Sequence, residues 1–224
     1  MAEDEAAAVA DEAVSDAPVD PDWFARWRTN AEDIHDDEMR RLWARILAGE
    51  TKQPESFSLH TLDFMRRLSK EDAALIEKVA PFTCGRDLFR GAASEKVLES
   101  RGLTLGVFIE LQELGVMSGV EAVGLQKQFT SNQVDRFGRP FRFWNKALMV
   151  QADDPAKKIQ LPVYGITKVG LQVMSLGKFQ ADDEYVRAIA KIIATQGFQV
   201  SIGDVQEVDN KQFMIVNAQP IFAD

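Results

Sequence analysis

Up to residue 120 the apolar positions recur every three to four residues, and beyond it every second residue, so helices should precede strands. Trp23, Phe24, Trp27, Ala31 and Ile34 form one stripe and predict a helix over about 21–34. Asp20 is its N-cap and Pro21 its first residue, where a missing N–H costs nothing. Asp36 or Asp37 caps a second helix with the stripe Met39, Leu42, Trp43, Ile46 and Leu47, and Gly49 is its expected stop. A third helix starts at Ser56 or Ser58 and carries Leu59, Leu62, Phe64, Met65 and Leu68. Ser69-Lys-Glu-Asp resembles a capping box and opens a fourth helix through Leu75, Ile76 and Val79, ended by Pro81. These four helices form the expected domain 20–82.

Residues 82–102 read as irregular to weakly helical, and 103–117 as a helix with Leu103, Val107, Phe108, Leu111 and Leu114 inside. Strand sequence follows at Phe141-Arg-Phe-Trp, at Lys146 to Gln151 around a turn at Trp144-Asn145, and at Leu161 to Thr167. Thr167 caps a further helix. A helix over 182–196 and strands at 198–202 and 213–217, around Asp209-Asn-Lys, complete the chain. The expected fold class is therefore α+β: an N-terminal four-helix unit, a middle domain over 83–180, and a small C-terminal α/β unit over 181–224, helix plus β-hairpin.

The stretch Asp22-Trp-Phe…Trp43-Ala-Arg-Ile-Leu-Ala-Gly-Glu…Pro54-Glu-Ser-Phe-Ser…Leu68-Ser-Lys-Glu-Asp-Ala resembles a bacterial domain-of-unknown-function family, number 2806. The same helical core is similar to the abortive-infection alpha family, which implies a shared scaffold and a phage-defence setting but supplies no catalytic residue. Over 100–177 the order helix, strand, hairpin, strand, then Ile166-Thr-x-x-Gly170-Leu is similar to winged-helix proteins.

Charge changes the picture in two places. Residues 1–20 hold seven acids and no Lys or Arg, which leaves only −2 of the formal −9 for the rest of the chain. Rich in Ala, Asp and Glu and without an aromatic residue, the tail 1–19 is expected to stay disordered and to be dispensable for folding. Between 122 and 180, nine Lys or Arg face three acids, and Phe129, Phe137, Phe141, Phe143 and Trp144 interleave with them. Such a patch suits phosphates and bases. However, the helix over 103–117 holds no Lys or Arg, and Gln112 is its one base-reading candidate. Phe141 and Trp144 are then the expected anchors for a protein partner, with Arg136, Arg139, Arg142 and Lys146 around them.

The candidate chemistry is thin. Cys84 is the single cysteine, and no base beside it is evident, so a buried, inert thiol is expected. The acids around His35 (Asp33, Asp36, Asp37, Glu38) read as capping residues at a helix start, where the dipole favours them, and not as a metal site. No phosphate-binding glycine motif and no G-x-S-x-G occurs. Trp23, Trp27 and Trp43, at helical spacing, read as core instead of a ligand cage. The sequence thus predicts a cytoplasmic binding or regulatory protein, not an enzyme, with no cofactor, no metal and no membrane. Its expected partner is a protein, with nucleic acid at the basic region as the alternative.

Overall fold

The computed structural model describes residues 17–32, 34–122, 125–209 and 212–222. Residues 1–16 of the stretch expected to be disordered, Asp33, and residues 210–211 of the expected turn lie outside these residues. The fold is α+β, with eight α-helices and eight strands among the described residues. Two compact units, Met1–Leu68 and Ser69–Asp224, meet in sequence at 68/69. The fourth predicted helix therefore counts with the second unit and does not close a domain ending at 82.

The first unit contains α1 (Pro21–Glu32), α2 (Asp37–Lys52) and α3 (Leu59–Arg67). Asp20 accepts a hydrogen bond from the Trp23 N–H at 2.8 Å. Asp36 accepts from the Glu38 and Met39 N–H groups, and Ser58 from Thr61. Each cap satisfies donors that the first helical turn leaves open. Gly49 does not stop α2, which runs on to Lys52. A Cβ at Gly49 would stand 2.8 Å from the Phe57 ring, so glycine there makes room for an aromatic side chain. In the last turn of α2, the buried Glu50 carboxylate accepts from the Glu55 and Phe57 N–H groups at 2.7 and 2.8 Å. It thereby organises the loop that delivers Phe57 to a core of Trp23, Trp43, Ile46, Leu62 and Met65.

The second unit begins with α4 (Lys70–Val79) and a 3-10 turn, Ala80–Phe82. The Ser69–Asp72 capping box is present in both directions. The stretch expected to be irregular instead holds β1 (Asp87–Phe89) and α5 (Ala92–Ser100). Three residues are too few to show a period, which is why β1 was invisible to pattern. Next come α6 (Leu105–Glu113), β2 (Met117–Ser118) and β3 (Gln126–Phe129). The hairpin β4 (Phe137–Phe143) and β5 (Lys146–Ala152) follows, then β6 (Ile159–Ile166) and α7 (Lys168–Met174). The chain closes with α8 (Asp183–Ala194), β7 (Gln199–Asp209) and β8 (Gln212–Ile221).

Two antiparallel sheets result. In one, β6 lies between β1 and β2 and also pairs with β3. The other has the order β4-β5-β7-β8 and is built from both sides of residue 180. The last two strands thus extend the sheet begun by the middle hairpin. A cluster of aromatic rings links the two sheets. Phe89 meets Phe129, Phe141 and Phe143 edge to face at 5.6–5.9 Å, and Tyr185 of α8 stands against Phe143 and Phe82. The Tyr185 hydroxyl donates to the Phe89 carbonyl at 2.7 Å. Burial raises its pKa well above the usual tyrosine value, so it stays a donor.

Gly170 shows how closely α7 sits on the strand before it. A Cβ there would overlap the Val116 carbonyl oxygen and stand 3.0 Å from Ile166 Cγ2. That carbonyl already accepts from the Thr167 N–H at 3.0 Å, so it cannot withdraw freely. Gly170→Ala should cost about 1–3 kcal/mol despite the better helix propensity of alanine. Urea denaturation measures it, and a neutral or stabilised variant would show that the contact yields.

Candidate functional site

The six residues singled out in the basic region take up internal duties. Phe141 is 4% exposed and lies in the aromatic cluster, with its ring 5.1 Å from Phe129. The structure makes it a core residue and not a surface anchor. Its neighbours alternate along β4, and the sequence pattern alone did not say which face of that strand would be covered. Trp144 sits at φ +48° in the β4–β5 turn. Its indole N–H donates to the Ala80 carbonyl at 2.7 Å, and its ring packs against Phe179 at 5.0 Å.

The cations are similarly engaged. Arg142 pairs with Glu207 and lies 5.2 Å above the Phe213 ring. Lys146 donates to Asp204 at 2.7 Å, and that bond, helped by Asn217, holds the Asp204 carboxyl below its ordinary range. Arg139 donates to the Thr130 carbonyl at 2.9 Å and to Asn132 at 3.1 Å, over the faces of Phe129 and Phe141. Arg136 is exposed and bonds to Gln133 at 3.2 Å. Elsewhere in the region Lys127 forms a two-pronged pair with the mostly buried Asp87. The charges that pattern assigned to a partner thus largely neutralise or cap this chain's own groups.

Cys84 is buried, and its thiol is pushed well up by burial and by Asp87, which keeps it protonated and unreactive. Among the described residues no group of three or more His, Cys, Asp or Glu is placed to hold a metal ion.

The better-formed site is an open groove in the first unit, with a volume of about 580 Å³. That lies within the usual range of binding pockets. Trp27 and Ala31 of α1, with Ile34 beyond it, form one wall. Trp43, Ala44, Leu47, Ala48 and Thr51 of α2 form the floor and the other wall, with Arg40 and Lys52 also lining it. The walls are tied together: the Trp27 indole N–H donates to the Trp43 carbonyl at 3.0 Å, and Arg40 Nε to the Ile34 carbonyl at 2.9 Å. Trp23 and Trp43 are buried at 4% and 1% exposure, as their spacing implied, whereas Trp27 is half-buried on the groove wall. Ala44 and Ala48, one turn apart and both exposed, leave room for another surface to come close. Arg41 and Arg45 continue the row of Ala48 and Lys52, so cations follow one side of the groove.

Residues 3–88 match the family described as a protein of unknown function (DUF2806). The DUF2806 segment contains every residue that lines the groove, and also the motifs that carried the resemblance in the sequence. No curated protein and no solved structure matches the chain. Sequence reading gave no role to Arg40, Thr51 and Lys52 of the groove, and Ala44 and Ala48 stood there only inside the family motif. The signal of these alanines was the small side chain at i and i+4 beside Leu47 and Thr51, which reads as ordinary helix surface until Trp27 is placed opposite. Among the described residues, no helix is long and apolar enough to cross a membrane.

Proposed function

We propose that the protein is a binding and regulatory module, not an enzyme, whose α1–α2 groove receives an amphipathic helix of a partner protein. The observation that carries this is the apolar groove lined also by Arg40 and Lys52, with Arg41 and Arg45 at neighbouring positions of α2, within the segment that matches DUF2806. A helix with an apolar stripe and flanking acids complements both features, because the stripe buries against Trp27, Leu47 and the alanines while its carboxylates meet the cations. Phage defence or stress response is the setting implied by the abortive-infection resemblance of the same helices.

The second unit runs helix, strand, helix, helix, two strands, hairpin, strand, helix from α4 to α7, and we read it as a winged-helix scaffold with an enlarged wing. Its geometry favours a protein partner over nucleic acid. In a winged helix α6 would be the reading helix, yet it exposes Leu105 at 59%, together with Glu110 and Glu113. Gln112 is committed to Val120 and Glu121. Carboxylates and a leucine on that face oppose a phosphate backbone.

The test is fluorescence anisotropy of a labelled helical peptide with a leucine stripe flanked by glutamates, against a lysine-flanked control. Saturable binding of the acidic peptide that weakens with salt, and is lost in Ala44→Glu/Ala48→Glu, is expected. Equal binding of both peptides, or none, would overturn the groove reading. Retention on duplex DNA at physiological salt, abolished by Arg136→Ala/Arg139→Ala in a folded protein, would instead establish the nucleic-acid alternative.

A further inference from the structure

The end of the second sheet carries an unusual load of uncovered apolar surface. Strand β5 pairs with β7 only over Gln199–Asp204. Beyond that, β7 and β8 continue as a two-stranded ribbon, with Val205 opposite Ile215, Gln206 opposite Met214 and Glu207 opposite Phe213. Side chains alternate across such a ribbon. Phe213 and Ile215 therefore share one face, where Arg142 covers Phe213, while Met214 and Val216 share the other. Met214 is 53% exposed and Val208, at the ribbon's register shift, 55%. A two-stranded ribbon is marginal in water, and β8 is apolar on both of its faces over 213–216.

The edge is unprotected as well. Among the described residues β8 is the last strand of its sheet, so one side of its backbone has no strand partner. Sheets usually defend such an edge with charge, proline or a bulge. The opposite edge, β4, has Pro140 with Arg139 and Arg142. In β8 the defences stand only at the base, where Asn217 takes φ +54° and Pro220 follows. The segment Gln212-Phe-Met-Ile-Val216 has neither a charge nor a proline, and no residue from 212 to 222 is charged.

We propose that the outer edge of β8 pairs with the β8 edge of a second copy of this chain. The pairing is antiparallel about a two-fold axis through 212–216, and it joins two four-stranded sheets into one. Charge selects this occupant. In a two-fold antiparallel pair each residue meets a residue of its own segment, and strands bearing charge in such pairs oppose like charges. An uncharged segment pairs with itself without that cost, whereas a charged edge from another protein finds no counter-charge here. The second copy also stands beside Met214, which the monomer leaves largely to water.

The experiment is sedimentation velocity of the full chain over a dilution series, with hydrogen exchange of the β8 amides at the two ends of the series. The native chain should sediment as a dimer that dissociates on dilution, and the amides of 212–216 should lose protection as it does. Met214→Lys puts an ammonium on the exposed edge and should give a monomer with unchanged circular dichroism, while Met214→Leu should remain dimeric. A native chain that is monomeric throughout would overturn the proposal. So would a dimer that survives Met214→Lys, or one whose β8 amides exchange alike at both concentrations. Should the lysine variant fail to fold, the exchange of the native chain alone decides.

Discussion

Trp43→Ala is expected to lower the stability of the first unit by about 3–5 kcal/mol, the range for a large aromatic side chain removed from a closed core. Trp43 is 1% exposed and packs with Ile46, Leu62 and Met65, while its backbone carbonyl receives the Trp27 indole. The substitution deletes the indole and leaves the carbonyl. The tie to Trp27 therefore persists, and the loss is one of packing. Its Nε1 finds no acceptor among the described residues, so no side-chain hydrogen bond is lost with it and none offsets the cavity. Trp43→Phe should recover part of the loss, because a smaller ring fills part of the same space. Denaturant midpoints of the three proteins decide it. A Trp43→Ala protein of native stability that had lost only peptide binding would make Trp43 a ligand contact and not a core residue.

Removal of the Glu50 carboxylate should have an effect of similar size. At 2% exposure it accepts from two backbone N–H groups, those of Glu55 and Phe57, across a loop in which Glu55 sits at φ +70°. Glu50→Ala strands both donors, at about 1–3 kcal/mol for each one buried, and releases the loop that carries Phe57. The expected total is about 2–4 kcal/mol, below the simple sum because the Glu55 N–H can reach water. Glu50→Gln keeps one carbonyl acceptor of the two and should lose about half as much. The ordering alanine, glutamine, native in urea midpoints is the signature. Equal midpoints for all three would show that the loop is held by Phe57 packing alone. The Phe57 ring against Gly49 and the Trp23 indole donating to the Phe57 carbonyl at 2.7 Å are the contacts that would then suffice.

Both effects bear on the groove, since α2 supplies its floor through Trp43 and leads directly into the Glu50 loop. They also separate stability from binding. Ala44 and Ala48 are exposed and can be changed without cost to the core, whereas Trp43 and Glu50 cannot. A binding study that relied on tryptophan substitution alone would confuse the two.

Local signals determined much of this protein without help. Helix starts at Asp20, Ser69, Thr167 and Asp182 followed from side chains that bond to the first-turn N–H groups, an interaction spanning two or three residues, and the structure chose Asp36 over Asp37 and Ser58 over Ser56. The stripes through Trp23, Trp43 and Ile46, and the change of period that announced the β4–β5 hairpin, followed from the fixed geometry of helix and strand. What only the tertiary structure decided were matters of distance along the chain. Phe141 became core because Phe89, far away in sequence, and Phe129 of another strand close over it, and the arginines beside it bond to Glu207, Thr130 and Asn132 of this chain. A charge pattern cannot distinguish a cation awaiting a partner from one already paired, because pairing depends on which strand lies next to which. The same holds for Gly49, whose role depends on a ring eight residues on, and for the C-terminal strands, whose sheet begins at residue 137. Periodicity records which face of an element is apolar, and only the packing of elements records what that face meets.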